Sequence, residues 1–195
     1  RLGVLFGGMS VEHEVSIITA IQAMNKMDQV KYEIIPIYIA KDGKWYTGNM
    51  LKDIEIYSDM DLLKRYAKEV VLYNLDGRFV LQNKKGLFKR TIKEIDLAFP
   101  IMHGTKGEDG ALQGYLETIK IPYCESNTYA SCVGQDKIFM KQIFKDNKVN
   151  VVKYKWFFDT DYLNDSEAVL KEVEKLGYPM IVKPATLGSS VGIKV

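Results

Sequence analysis

Apolar residues recur along this chain with two periods, and their order predicts an α/β fold. Residues 2–6 are a short apolar run that reads as a buried strand, followed by Gly7-Gly8 and then Ser10, a good helix N-cap. From Val11 to about Met27, Ile17, Ala20, Ile21, Met24 and Met27 fall at helical spacing. Residues 33–40, rich in Ile and Tyr, read as a second strand. Asp42-Gly43 then offers a hairpin turn toward Lys44-Trp45-Tyr46. Strand, helix, strand opens an α/β sheet with a right-handed crossover.

Residues 50–94 are less regular. Runs at 70–73 and 78–81 flank Asp76-Gly77 and predict a β-hairpin, read here as an elaboration of the domain and not its scaffold. Residues 95–100 form a third apolar strand that delivers the polar loop 103–110. A helix from about Asp109 follows, with Leu112, Leu116 and Ile119 on one face, and then a strand at 121–124. The character changes near Ser126. Two helices come next, the second over about 135–147, with Phe139, Met140, Ile143 and Phe144 expected to be buried. A strand is expected at 154–158. Ser166 is expected to cap a helix ending at Leu176, with Gly177 as left-handed C-cap and Pro179 beyond. A strand at 180–183 leads to the small loop 187–192, and the chain stops at Val195 in what reads as another strand. An unpaired edge there is the mark expected of a fragment.

Composition narrows the function classes. With 195 residues, 47% apolar and 27% charged, the chain has material for a core and an ordinary globular surface. A net charge of +2 gives no reason to propose nucleic acid or an anionic membrane as partner. No apolar run approaches the roughly 20 residues that span a bilayer, and no signal peptide precedes the first strand, so a cytoplasmic protein is expected. Cys124 and Cys132 are too few for a disulfide framework and lack metal-site spacing. Both are expected as buried thiols in a reducing compartment.

Four stretches could carry chemistry. Gly7-Gly8 lies between strand and helix, where backbone can approach a ligand and anions are favoured. It lacks the three-glycine spacing of a dinucleotide site. Glu12, placed in the first helical turn, could equally serve the helix dipole. His13-Glu14 resembles the start of a zinc helix, but Ile17 stands where the second histidine belongs. His103 ends a buried strand, the edge at which open α/β sheets bind ligands, although its loop is also ordinary turn chemistry. Gly114 inside a helix costs roughly 1 kcal/mol against Ala and suggests a close contact.

Lys137, in a first helical turn, opposes the dipole. A phosphate would favour it there, though a solvated lysine tethered by Asp136 is the commoner case. Lys183, beside Ile181 and Val182, needs a partner if buried. The loop Gly188-Ser189-Ser190-Val191-Gly192 could offer N–H groups to phosphates. It also fits a nucleophile elbow centred on Ser190, but no histidine follows and a helix has no room to follow, so a serine hydrolase is a poor reading.

Leu-Phe-Gly-Gly-Met-Ser-Val-Glu-His-Glu-Val-Ser, Phe-Pro-Ile-Met-His-Gly-Thr-Lys-Gly-Glu-Asp-Gly and Val-Lys-Pro-Ala-Thr-Leu-Gly-Ser-Ser-Val-Gly together resemble D-alanine–D-alanine ligases, in that family's order and at compatible spacing. The family belongs to the ATP-grasp enzymes. The resemblance implies a Rossmann-like, pre-ATP-grasp substrate domain over 1–125, an open and mostly parallel sheet flanked by helices. The start of an α+β ATP-grasp domain would follow over 126–195. It implies that Glu12 holds the ammonium of the first D-alanine, with Val15 near its methyl group and His103 near its carboxylate. Lys137, Lys183, Ser189 and Ser190 would meet ATP, with Ser189 linked through hydrogen bonds toward Glu12. The reaction implied is formation of D-alanyl phosphate and then of a peptide bond for peptidoglycan precursor synthesis.

The resemblance further implies Mg²⁺ (or Mn²⁺) and a homodimer. The metal ligands, adenine contacts and second-substrate loop are expected beyond Val195, so no metal ligand is expected within the chain and the chain alone is expected to be inactive. Ligases making D-alanyl-D-lactate or D-alanyl-D-serine share these motifs and remain alternatives. A non-catalytic binding or dimerisation module is an alternative of another class.

Overall fold

The computed structural model describes all 195 residues, Arg1–Val195. Strands β1 (Leu2–Gly7) and β2 (Ile34–Ile39) are buried along their whole lengths, as central strands covered on both faces must be. They pair in parallel, Leu2 opposite Ile34 and Gly7 opposite Ile39. The crossover is α1 (His13–Lys26), which buries Ile17, Ala20, Ile21 and Met24. Asp42-Gly43 turns the chain into β3 (Trp45–Thr47), antiparallel to β2. Helix α2 (Met60–Tyr66) is capped by Asp59, whose carboxylate accepts from the N–H groups of Asp61 and Leu62.

Strands β4 (Lys68–Leu75) and β5 (Arg78–Asn83) form the expected hairpin. Asp76 and Gly77 both have positive φ, 50° and 84°, as a two-residue I′ turn requires. Strands β6 (Thr91–Ile95) and β7 (Leu97–Met102) complete one seven-stranded sheet, in the order β6-β5-β4-β3-β2-β1-β7.

The α/β class expected from the sequence is present, but the sheet is mixed rather than mostly parallel. Only β2, β1 and β7 run parallel; β3 to β6 join by antiparallel pairing. Residues 50–94 are therefore not an elaboration, since they supply β4, β5 and β6. The cause is connection length. Tight turns can join only antiparallel neighbours, whereas parallel ones need a long crossover.

Asp96 alone separates β6 from β7, yet these strands lie at opposite edges of the sheet. The sheet must curl for one continuous segment to serve both edges, and Ile95 fills the curl. A Cβ at Gly3 would stand 2.7 Å from Ile95 Cδ1 and 3.0 Å from Ile37 Cδ1. Side chains alternate across β1. Val4 and Phe6 join Ile17, Met24 and Tyr38 on the α1 side. Leu5 joins Ile37, Leu81, Ile95 and the Leu112 and Leu116 of α3 (Ala111–Thr118) on the other.

The strand expected at 121–124 is reduced to a single bridge, Ala98 to Tyr123. Both cysteines, expected buried, are exposed, because no element covers Cys124 beyond that edge or Cys132 on α4 (Thr128–Gln135). Gly114 makes only ordinary contacts, 3.8 Å to Thr128. The tight position is Gly110, where a Cβ would collide with Cys132 Sγ and come within 2.9 Å of Thr128 O.

The chain divides into two compact units, Arg1–Cys132 and Val133–Val195. The second holds α5 (Lys137–Asp146), α6 (Asp159–Asn164) and α7 (Ser166–Glu174). None of its residues is buried. Phe139, Ile143 and Phe144, expected in a core, are 60, 44 and 40% exposed, and Met140 is half-buried. Residues 154–158 and 180–183 are not strands. A strand needs a neighbour, and within this chain Val182 finds only Lys194. Lys183, which would need a partner if buried, is exposed for the same reason. The cap of α7 is Asp165, which accepts from Ala168 N–H, and Ser166 is the first helical residue. Gly177 takes the left-handed conformation expected of it, at φ 83°. No helix is long and apolar enough to cross a membrane.

Candidate functional site

Parallel pairing brings the carboxyl ends of β1 and β7 side by side, with Gly7 opposite Met102. Two of the stretches singled out in the sequence, 7–14 and 103–110, leave from there. Ser16 fastens the junction from within α1. Its hydroxyl is fully buried, donates to Ile101 O (2.5 Å) and accepts from Gly7 N–H (2.8 Å).

Gly7 and Gly8 turn at φ 92° and 95°. A Cβ at Gly7 would collide with the backbone carbonyl of Ile39, so the turn depends on glycine for space as well as angle. His13 holds the turn from below. A carbonyl can only accept, so His13 Nδ1 carries a proton to Gly8 O (2.5 Å). Its Nε2 faces the Tyr38 hydroxyl at 3.0 Å. Burial pushes the Tyr38 phenol up to about 12, which keeps that hydroxyl protonated as a donor. His13 is thus a buried structural pin and not a metal ligand.

Glu12 is the N-cap of α1, with φ −98° and ψ 17°, just ahead of the first turn where the sequence placed it. Its N–H donates to Ser10 Oγ (3.1 Å), and Ser10 Oγ–H donates to His103 O (2.5 Å). Ser10 is therefore a link between the two loops and not the helix cap. Glu12 is buried, and its carboxylate lies against Gly104, where a Cβ would stand 2.5 Å from Oε2. Gly104, at φ 75°, makes room for the acid.

The loop after β7 is braced by its own acids. Glu108 Oε2 accepts from Gly104 N–H (2.6 Å), and Asp109 Oδ2 accepts from Lys106 N–H (2.8 Å). Gln113, fully buried, donates to Gly107 O (2.8 Å) and to Glu125 Oε2 (2.5 Å). His103 Nε2 lies 3.0 Å from Thr19 Oγ1, and Nδ1 lies 3.9 Å from Glu108 Oε1. Val15, one turn into α1, is 45% exposed. Ser16 and Thr19 escaped the sequence reading, Ser10 was read only as a helix cap, and Gly104 and Glu108 only as members of the polar loop. Hydroxyls in an amphipathic helix and a glycine-rich loop carry no signal of contacts that span some 90 positions.

Within the second unit, the amino end of α5 is tied to the stretch after Lys183. Lys137 N–H donates to Ala185 O (3.0 Å), and its Nζ donates to Ala185 O (3.2 Å) and Leu187 O (2.7 Å). Gln135 Nε2 donates to Thr186 O (2.9 Å). Asp136 caps the helix by accepting from the N–H groups of Ile138 and Phe139. Ser189 and Ser190 both adopt left-handed φ, 47° and 61°, conformations that functional loops tend to retain despite their cost. Lysine 137 and the serine-glycine loop thus belong to one local structure, an association their separation in sequence did not reveal. No group of three or more His, Cys, Asp or Glu in the chain could hold a metal ion.

A three-layer α/β unit with a buried acid and a histidine on adjoining loops at the carboxyl edge of its sheet has the architecture of small-molecule-binding α/β proteins. The chain belongs to the D-alanine–D-alanine ligase family: the family model of the D-ala D-ala ligase N-terminus matches residues 1–126, and that of the C-terminus matches residues 143–195. It is 45% identical to the D-alanine–D-alanine ligase of Thermosipho melanesiensis over 99% of this chain and 51% of that protein. The chain thus spans about half the length of the curated relatives it matches. Among solved structures it resembles the VanG D-Ala:D-Ser ligase of Enterococcus faecalis (TM-score 0.77, 32% identity, 98% of this chain and 54% of that one). It also resembles the D-alanine–D-alanine ligase of Bacillus anthracis complexed with ATP (TM-score 0.59, 29% identity, 95% and 47%).

Proposed function

We propose that the protein containing this chain joins two D-alanines at the expense of ATP for peptidoglycan precursor synthesis. Residues 1–125 would serve as its substrate domain and 126–195 as the start of its ATP-grasp domain. The observation that carries the reading is the seam between the β1 and β7 loops, where buried Glu12 rests against Gly104 while Ser10 ties its loop to His103. The Glu12 carboxylate, at the carboxyl edge of the sheet, is of the charge that suits the ammonium of the first D-alanine. His103 takes its carboxylate and Val15 bounds its methyl side.

Lys137, Lys183, Ser189 and Ser190 serve ATP, with the loop at 188–192 covering the phosphates. ATP would transfer its γ-phosphoryl group to the first carboxylate, releasing ADP and leaving an acyl phosphate. The amine of the second D-alanine would then attack that acyl carbon and displace inorganic phosphate. The residues of this chain act by binding and orienting the reactants, which is most of what phosphoryl transfer asks of a protein. The chain offers no metal-binding cluster, so none of its residues is assigned to Mg²⁺ or Mn²⁺. A cytoplasmic homodimer completes the reading.

The test is ADP release from ATP by the full-length protein, with D-alanine alone and with D-lactate or D-serine added, and with Glu12→Gln as control. Release with D-alanine alone, lost in the control, supports the ligase. The likeness to a neighbour named D-Ala:D-Ser ligase motivates a second reading, which release only with D-serine would favour. D-Alanine binding without release in any arm would favour a non-catalytic binding module.

A further inference from the structure

The loop from β5 to β6, residues 84–90, reads Lys-Lys-Gly-Leu-Phe-Lys-Arg and is exposed throughout. Leu87 and Phe88 at its tip are 91 and 70% exposed. One exposed apolar side chain is ordinary, but here two neighbours stand out together on a braced loop. Asn83 holds that loop at three points. Its Oδ1 accepts from Arg90 N–H (2.5 Å), and its Nδ2 donates to Phe88 O (3.2 Å) and to Lys85 O. Gly86, at φ 109°, makes the turn before the tip.

Charge surrounds the apolar pair. Lys84 and Lys85 share a single carboxylate, that of Glu69, at 3.3 and 2.9 Å. Lys89 Nζ meets the carbonyl of Lys84 (3.2 Å), and from Gly77 to Lys93 the chain carries no acid. With four cations against the one carboxylate, the loop keeps a surplus of three positive charges, which the net charge of the whole chain conceals.

We infer that this loop is a peripheral anchor for an anionic phospholipid surface, with Leu87 and Phe88 entering the headgroup boundary and Lys84, Lys85, Lys89 and Arg90 meeting lipid phosphates. The inference is independent of the ligase reading. A short apolar insertion alone binds marginally, and stable attachment takes a second signal such as a basic patch; both occur here within seven residues. A nucleic acid would suit the charge but gives no role to Leu87, which has no ring for a base to stack on. The loop would lie on a bilayer without spanning it, and no helix of the chain is long and apolar enough to cross one. Through the pairings from β1 to β5, β5 runs antiparallel to β1, so the loop points away from the edge that holds Glu12 and His103.

The test is co-sedimentation of the full-length protein with vesicles of equal parts phosphatidylglycerol and phosphatidylcholine, and with phosphatidylcholine alone. Wild type should bind only the anionic vesicles, and less as salt rises. Lys89→Gln/Arg90→Gln should weaken binding about 30-fold, at roughly fivefold per charge. Leu87→Ser/Phe88→Ser should weaken it about tenfold. Phe88→Trp, read against wild type, should add emission that moves to the blue on anionic vesicles. These positions are exposed, so thermal unfolding of the variants should match wild type, which separates lost binding from lost folding. Wild type that binds neither vesicle, binding indifferent to the Leu87 and Phe88 substitutions, or Phe88→Trp emission that does not shift would overturn the inference. Retention on polyuridylate RNA as tight as on the anionic vesicles would overturn lipid as the partner.

Discussion

Gly104→Ala separates two costs that usually arrive together. At φ 75°, an alanine costs about 1–2 kcal/mol in backbone energy alone. Its Cβ would also stand 2.5 Å from Glu12 Oε2 and 3.1 Å from Ser10 Cβ, so the buried acid or the loop carrying it must move. Overpacking of this kind adds about 1–3 kcal/mol. Gly77 supplies the reference. Its φ is 84°, and a Cβ there would meet nothing within 4 Å. Gly77→Ala therefore carries the backbone cost without the collision.

Urea denaturation of the full-length protein should show a loss of about 1–2 kcal/mol for Gly77→Ala. The loss for Gly104→Ala should be about 2–5 kcal/mol. D-Alanine-dependent ADP release should fall on the order of 100-fold in Gly104→Ala, the scale of an ångström's misplacement of a binding group. In Gly77→Ala it should stay within about twofold, because the hairpin is far from the seam in the fold. Equal stability losses together with equal rates would refute the claim that Gly104 exists to make room for Glu12.

Three further outcomes are expected. Tyr38→Phe should cost about 1–3 kcal/mol in urea, since it strands a buried ring nitrogen of His13. The wild-type phenol, with its pKa at about 12, keeps a proton that the unfolded chain gives up near pH 10. The native state therefore binds more protons across that interval, and wild-type stability should decline from pH 10 toward 12, with less decline in Tyr38→Phe. Ser16→Ala should cost about 1–3 kcal/mol and speed hydrogen exchange at the Gly7 amide, which loses its acceptor; unchanged exchange would argue against the hydroxyl as fastener. Lys137→Met should release Leu187 O and leave Ala185 O only the backbone N–H of residue 137, so limited proteolysis within 185–192 should quicken about tenfold; equal cleavage would mean the lysine side chain does not hold the loop.

Much of the first unit was legible in the residues. The run 2–6, the stripe at Ile17, Ala20, Ile21 and Met24, and the turns at Asp42-Gly43 and Asp76-Gly77 each carry local physics that the fold honours. The three motifs that announced the family are equally local. Residues 50–94 were misjudged because their strands vary in burial along their length, unlike the fully buried β1 and β2. Only pairing with β3 makes them part of the main sheet. The second unit went furthest astray. Apolar periodicity at Phe139, Ile143 and Phe144 correctly marks one face of α5, but periodicity cannot say whether anything covers that face.

By itself, then, the sequence determined helices α1, α3, α5 and α7, the hairpin turns and the identity of the polar loops, because backbone propensity and residue spacing act over a few positions. Tertiary structure alone decided which loops became neighbours. The parallel register of β1 and β7 puts Gly7 beside Met102, and from that follow the Ser10 bond to His103, the room Gly104 leaves for Glu12 and the hydroxyl of Thr19 against the His103 ring. Such contacts depend on the order of strands across a curled sheet, which long-range burial of Leu5, Ile37 and Ile95 selects and no local pattern encodes.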